Sequence, residues 1–103
     1  MNDRKHILVV DDDPGQRDLL RTFLEKKGSD VTTAASGDEA LALLQQGSFS
    51  LLISDIRMPG MSGLSLLEAL RQICPLLPVL MVTAYPDVRD AVEAMRGGAV
   101  DYL

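Results

Sequence analysis

Four carboxylates and one hydroxyl stand where apolar stretches of the chain stop. Ile7-Leu8-Val9-Val10 is closed by Asp11-Asp12-Asp13, Leu51-Leu52-Ile53 by Ser54-Asp55, and Pro78-Val79-Leu80-Met81-Val82 by Thr83-Ala84. Carboxylates crowded together repel and raise one another's pKa, so such a cluster calls for a cation. Oxygen ligands completed by water suit Mg2+, which is commonly held by one or two carboxylates. Asp11, Asp12 and Asp55 are therefore expected to form a Mg2+ site in a shallow acidic pocket, with Thr83 delivered to the same edge. Asp13 has a different reading. Pro14 follows it at a first helical position, which makes Asp13 a helix N-cap.

Those residues converge only if the elements behind them are parallel. After the first apolar run, Leu19, Leu20, Phe23 and Leu24 recur at helical spacing until Gly28. Residues 30–34 read as a weaker, β-branched strand, and Ser36 with Glu39 as a capping box opening a helix through Ala40, Leu41 and Leu44 to Gly47. Pro59, Gly60 and Gly63 shape a loop after Asp55. A helix with Leu64, Leu67, Leu70 and Ile73 follows and ends at Pro75. Pro86 begins another, with Val88, Ala91, Val92 and Met95 on one face, stopped by Gly97-Gly98, and residues 99–103 begin a fifth strand. Strands apolar throughout are buried on both faces, the mark of a parallel sheet between helices. The expected fold is a doubly wound α/β domain over residues 1–103, with five parallel strands in the order 2-1-3-4-5. Right-handed crossovers place every strand's C-terminal end on one edge, and the switch point between strands 1 and 3 is where chemistry belongs.

Composition narrows the function. With 103 residues there is room for one domain, 47% of it hydrophobic and 24% charged. A net charge of −5 opposes binding to DNA or RNA. Cys74 has no partner for an internal disulfide, which fits a reducing cytoplasm. The aliphatic stretch from Leu76 to Val82 is too short to cross a membrane, and the residues after Met1 lack the form of a signal peptide. Cys74, beside Pro75, reads as packing, and His6, at the opposite edge of the sheet, as structural.

The segments Leu8-Val9-Val10-Asp11-Asp12-Asp13, Ser54-Asp55-Ile56-Arg57-Met58-Pro59-Gly60-Met61-Ser62-Gly63, Val82-Thr83-Ala84 and Gly98-Ala99-Val100-Asp101-Tyr102-Leu103 resemble bacterial two-component response-regulator receiver domains. The match runs the whole length, and is greatest to the receivers of transcription activators that carry an ATPase domain. The resemblance implies a flavodoxin-like fold and a phosphoryl group accepted on Asp55 from a phosphohistidine, by a signalling protein rather than an enzyme. It further implies that Asp12 binds Mg2+ directly, Asp11 holds a coordinating water, and Arg57 offers its backbone carbonyl. Thr83 would donate to a phosphoryl oxygen, with Tyr102 following from exposed to buried. The implied partners are a histidine kinase or phosphotransfer protein upstream and an output domain or dimer partner downstream, with the surface of the fourth helix and fifth strand as the readout.

The family carries a lysine two residues past the position of Leu103, and then a fifth helix; this sequence stops before both. Lys5, Lys26 and Lys27 fall at the far edge, Lys5 roughly 20 Å from Asp11 along an extended chain. The expectation is a domain that binds metal but phosphorylates or switches poorly, and whose bare face over strands 4 and 5 favours self-association. Two other functions compete. A receiver fold used only for docking is favoured by the missing lysine and opposed by the intact Asp11, Asp12, Asp55 and Thr83. A phosphohydrolase of the haloacid-dehalogenase type needs Thr or Val where Gly15 stands, and a cap domain for which there is no room.

Overall fold

Alternating β-rich and helical segments fold in chain order as β1 (His6–Val10), α1 (Pro14–Lys26), β2 (Asp30–Ala34), α2 (Gly37–Gln46), β3 (Leu51–Asp55), α3 (Gly63–Ile73), β4 (Val79–Val82), α4 (Val88–Arg96) and β5 (Asp101–Tyr102). The computed structural model describes residues 5–83, 88–99 and 101–102. Pro86, the expected start of the fourth helix, and Leu103, the expected end of the fifth strand, lie outside them. The strands are parallel, and four of them make the body of the sheet in the order β2-β1-β3-β4. The expected fifth strand is represented by two residues, Asp101 and Tyr102, beside Leu80 and Met81 at the β4 edge.

Successive β1 residues face opposite sides, as the pleat requires. Leu8 and Val10 join the larger core with Ala40 and Leu44 of α2, Leu66, Leu67 and Leu70 of α3, and Ala94 of α4. Ile7 and Val9 turn the other way with Ile53, against Leu20 and Leu24 of α1. Helices thus cover both faces, the doubly wound arrangement expected. On the α1 side Leu80 and Val82 of β4 are only partly buried.

Caps follow the sequence signals. Asp13 accepts the Gly15 N–H at 2.9 Å and Ser36 the Glu39 N–H at 3.1 Å. The return bond from Glu39 goes to the Ala35 N–H, one residue before the cap. Three expected faces are corrected. Leu19 and Phe23 are 65% and 56% exposed, because α1 sets the adjacent Leu20–Leu24 stripe on the sheet. In α3 the third buried leucine is Leu66, while Ile73 is exposed and Leu64 half-buried. Among the described side chains of α4 the buried one is Ala94, and Val92 and Met95 face solvent; the side chain of Val88, expected on the same face, lies outside the described residues. The turn that leaves α4 packs tightly on α3, since a side chain at Gly97 would lie 2.8 Å from Leu67 Cδ2.

Candidate functional site

The sheet order places the ends of β1 and β3 side by side, with Val10 opposite Ser54, so the next residues on each, Asp11 and Asp55, emerge together. Each carboxylate is oriented by nearby amides. Asp11 donates its own N–H to Ala34 O at 3.1 Å, and its Oδ1 accepts the Asp13 N–H at 2.9 Å. Arg17, one turn into α1, donates to the Asp11 carbonyl at 2.7 Å and ties the turn to the helix. Asp55 Oδ1 accepts the Arg57 N–H at 3.3 Å. The loop from Asp55 closes where Gly63 N–H meets Ile56 O at 2.8 Å, which seats the start of α3 directly against the end of β3.

Carboxylate oxygens of Asp11, Asp12 and Asp55 lie within 4.8 Å of one another. Mg2+ holds ligands at about 2.1 Å, so opposite oxygens of one shell stand about 4.2 Å apart. The trio therefore fits a divalent ion with one carboxylate reaching it through water. The donor chemistry fits too: hard oxygen ligands, with neither thiolate nor imidazole among them. Thr83, Arg57, Asp13, Gln16, Leu19, Leu20 and Val82 complete the pocket walls. Arg57 is the cationic residue among the described residues lining it.

Burial is the first cause that raises the Asp11 carboxyl above its ordinary value, opposed by the Asp13 amide and reinforced by the Asp55, Asp12 and Asp13 charges. Asp55 is likewise raised, first by burial and then by Asp12, against the amides of Arg57 and Ile56 and the Arg57 charge. Both groups thus take up protons at higher pH than exposed aspartates, and a proton on either displaces a cation. As pH falls towards the ordinary aspartate range, Mg2+ binding is expected to weaken at a higher pH than unperturbed carboxylates would dictate. Calorimetric titration at a series of pH values checks this; an affinity that falls only where ordinary aspartates titrate would contradict it.

Asp11, Asp12, Asp55, Arg57 and Thr83 are brought together as expected. Tyr102 is placed in the edge strand, and its side chain lies outside the described residues. Gln16 was not read from the sequence as a pocket residue, although its place one turn after the Asp13 cap was the available signal. Asp90, which pairs with Arg57 from α4, left none, being 33 residues away. His6 sits at the far end of β1, its Nε2 2.7 Å from Thr32 Oγ1. Lys5 precedes it, and Lys26 and Lys27 end α1, so the lysines are remote from the pocket. No helix among the described residues is long and apolar enough to cross a membrane.

Comparison with known proteins places this geometry in context. Residues 7–103 match the family described as the response regulator receiver domain. The DNA-binding transcriptional regulator NtrC of Salmonella typhimurium is 46% identical over 97 residues, covering 94% of this chain and 21% of that protein. The chain thus spans about a fifth of the length of NtrC and of the response regulator protein FleR of Pseudomonas aeruginosa. A response regulator receiver protein from Pseudomonas putida superimposes with a TM-score of 0.94 at 34% identity, covering 100% of this chain and 87% of that one. The response regulator TrrA from Thermotoga maritima, solved in complex with Mg(2+)-BeF, gives 0.87 at 37% identity, covering 96% and 84%.

Proposed function

Because the chain belongs to the response regulator receiver domain family, we infer that it is a phosphorylation-activated switch of a two-component pathway, with Asp55 as phosphoacceptor. The observation that carries this reading is the meeting of the Asp11, Asp12 and Asp55 carboxylates at one sheet edge, in a pocket that Thr83 also lines. A carboxylate is a weak nucleophile, so alignment and charge neutralisation do most of the work. The Arg57 and Ile56 amides orient Asp55. One Asp55 oxygen bonds to phosphorus as the P–N bond of a phosphohistidine breaks, and the imidazole nitrogen leaves with the electron pair. Asp12 and Asp55 would hold Mg2+ directly, Asp11 through water and Arg57 through its backbone carbonyl. The ion supplies neutralisation of the oxygens gathered there.

Thr83 then donates its hydroxyl to a phosphoryl oxygen, drawing in the end of β4, and Tyr102 beside it responds. Such a shift biases a two-state surface formed by α4 and β5. The upstream partner is a histidine kinase or phosphotransfer protein in the cytoplasm. The downstream partner is an output domain, for transcription as in NtrC, or a second copy.

Incubation with acetyl phosphate and Mg2+, followed by intact-mass measurement, tests the assignment. One added phosphoryl group, lost in hydroxylamine and absent with EDTA or in Asp55→Asn, is expected. Labelling that persists in Asp55→Asn would overturn it. Mg2+ binding without any labelling would point instead to a receiver fold used for docking alone.

A further inference from the structure

Arg57 stands between two concavities. It lines the acidic pocket with Asp11, Asp12 and Asp55, and it also lines a neighbouring groove whose far wall is Asp90 of α4. Its main chain belongs to the pocket, where the amide donates to Asp55 Oδ1. Its side chain belongs to the groove, where Nη2 donates to Asp90 Oδ2 at 3.1 Å. Rotation about the side-chain bonds is all that separates the guanidinium from either set of carboxylates.

We propose that Asp90 is a positioning residue for the metal site, holding the Arg57 guanidinium on the α4 side and so keeping the acidic pocket open to Mg2+. The proposal rests on the reading of that pocket as a Mg2+ site. A guanidinium is a planar fork of donors that pairs readily with carboxylates. Released from Asp90, it occupies the pocket and competes with the ion for the same oxygens. The Arg57 charge already acts on Asp55 from its present position. With Asp90 removed, that influence grows.

The restraint is soft. The Arg57 and Asp90 side chains are 52% and 23% exposed, and a pair this accessible is worth a factor of about five at most. It biases the guanidinium without locking it. Linkage makes the coupling reciprocal: an ion in the pocket drives Arg57 towards Asp90 and strengthens the tie between the loop after β3 and α4. Metal occupancy is thereby communicated to α4 before any covalent change.

Calorimetric Mg2+ titration of the wild-type protein, Asp90→Asn, Arg57→Ala and the double variant tests the proposal. Asp90→Asn is expected to weaken binding measurably, by up to about fivefold. Arg57→Ala should bind at least as tightly as wild type, and the double variant should match Arg57→Ala, because without the guanidinium Asp90 has nothing to withdraw. Asp90→Glu, which keeps the carboxylate, should retain most of the wild-type affinity. The competing explanation is that the Asp90 charge attracts Mg2+ directly. In that case Asp90→Asn weakens binding by the same factor with or without Arg57, which overturns the proposal, as does an unchanged affinity in Asp90→Asn. A wild-type protein that binds no Mg2+ overturns the reading of the pocket itself, and the proposal with it.

Discussion

Gly63→Ala is expected to destabilise the domain by about 3 kcal/mol or more, and to impair Mg2+ binding in whatever fraction still folds. Gly63 is buried at the first position of α3, where its N–H closes the loop on Ile56 O. A methyl group there would stand 2.8 Å from Ile56 Cα and closer still to the Asp55 carbonyl oxygen. Both are main-chain atoms, of Asp55 itself and of the residue after it, so no rotamer change relieves the overlap. Either α3 moves away from β3, opening the core around Leu66 and Leu67, or the end of β3 moves and Asp55 with it. Gly37 makes the contrast: a methyl there meets the Met61 thioether, the end of a flexible side chain that can yield. Urea denaturation of Gly63→Ala and Gly37→Ala, with Mg2+ titration of each, checks the difference. A Gly63→Ala protein as stable as wild type would show that the neck of the loop is looser than its geometry indicates.

Asp11→Asn should move affinity and stability in opposite directions. On the proposed role of Asp11 as the holder of a coordinating water, loss of its charge is expected to weaken Mg2+ binding about 10- to 100-fold. In the absence of metal the same change should stabilise the fold at neutral pH, against the destabilisation that most substitutions cause. Asp11 is 8% exposed and faces other carboxylates, and its pKa is raised first by burial. A carboxyl whose folded-state pKa lies above its unfolded value makes the native state the better proton binder, so its ionisation costs stability as pH rises from the unfolded value through the raised one. Above the raised value that cost is fully present, and asparagine removes it while keeping an oxygen to accept the Asp13 N–H. Thermal melts near neutrality should place Asp11→Asn above wild type in EDTA. Saturating Mg2+ should narrow or reverse the order, since a ligand stabilises the state that binds it. A variant less stable than wild type in EDTA would contradict this account.

Much of the site was legible because one rule governs it. In a parallel sheet with right-handed crossovers, whatever follows an apolar strand arrives at the same edge, so Asp11, Asp12, Asp55 and Thr83 could be gathered before any coordinate was known. Helix orientation was harder to read. Leu19–Phe23 and Leu20–Leu24 are both pairs four residues apart, one position round the helix from each other, and periodicity alone does not say which pair meets the sheet. In α4 the bulkier Val92 and Met95 looked like core, yet the small Ala94 is the one turned inward, a choice of face that size and spacing did not signal. The tie between Arg57 and Asp90 was invisible for another reason: it depends on where α4 settles relative to a loop far away in sequence.

The separation of charge along the strands has a consequence of its own. Asp11, Asp12, Asp13 and Asp55 lie at one end of the sheet, while Lys5, Lys26 and Lys27 lie at the other, because α1 runs back against β1. The end of the sheet that carries the pocket is therefore a patch of concentrated negative charge, offset in part by Arg57. A molecule with a basic rim would be drawn to that end during diffusion, and added salt would weaken the attraction by screening.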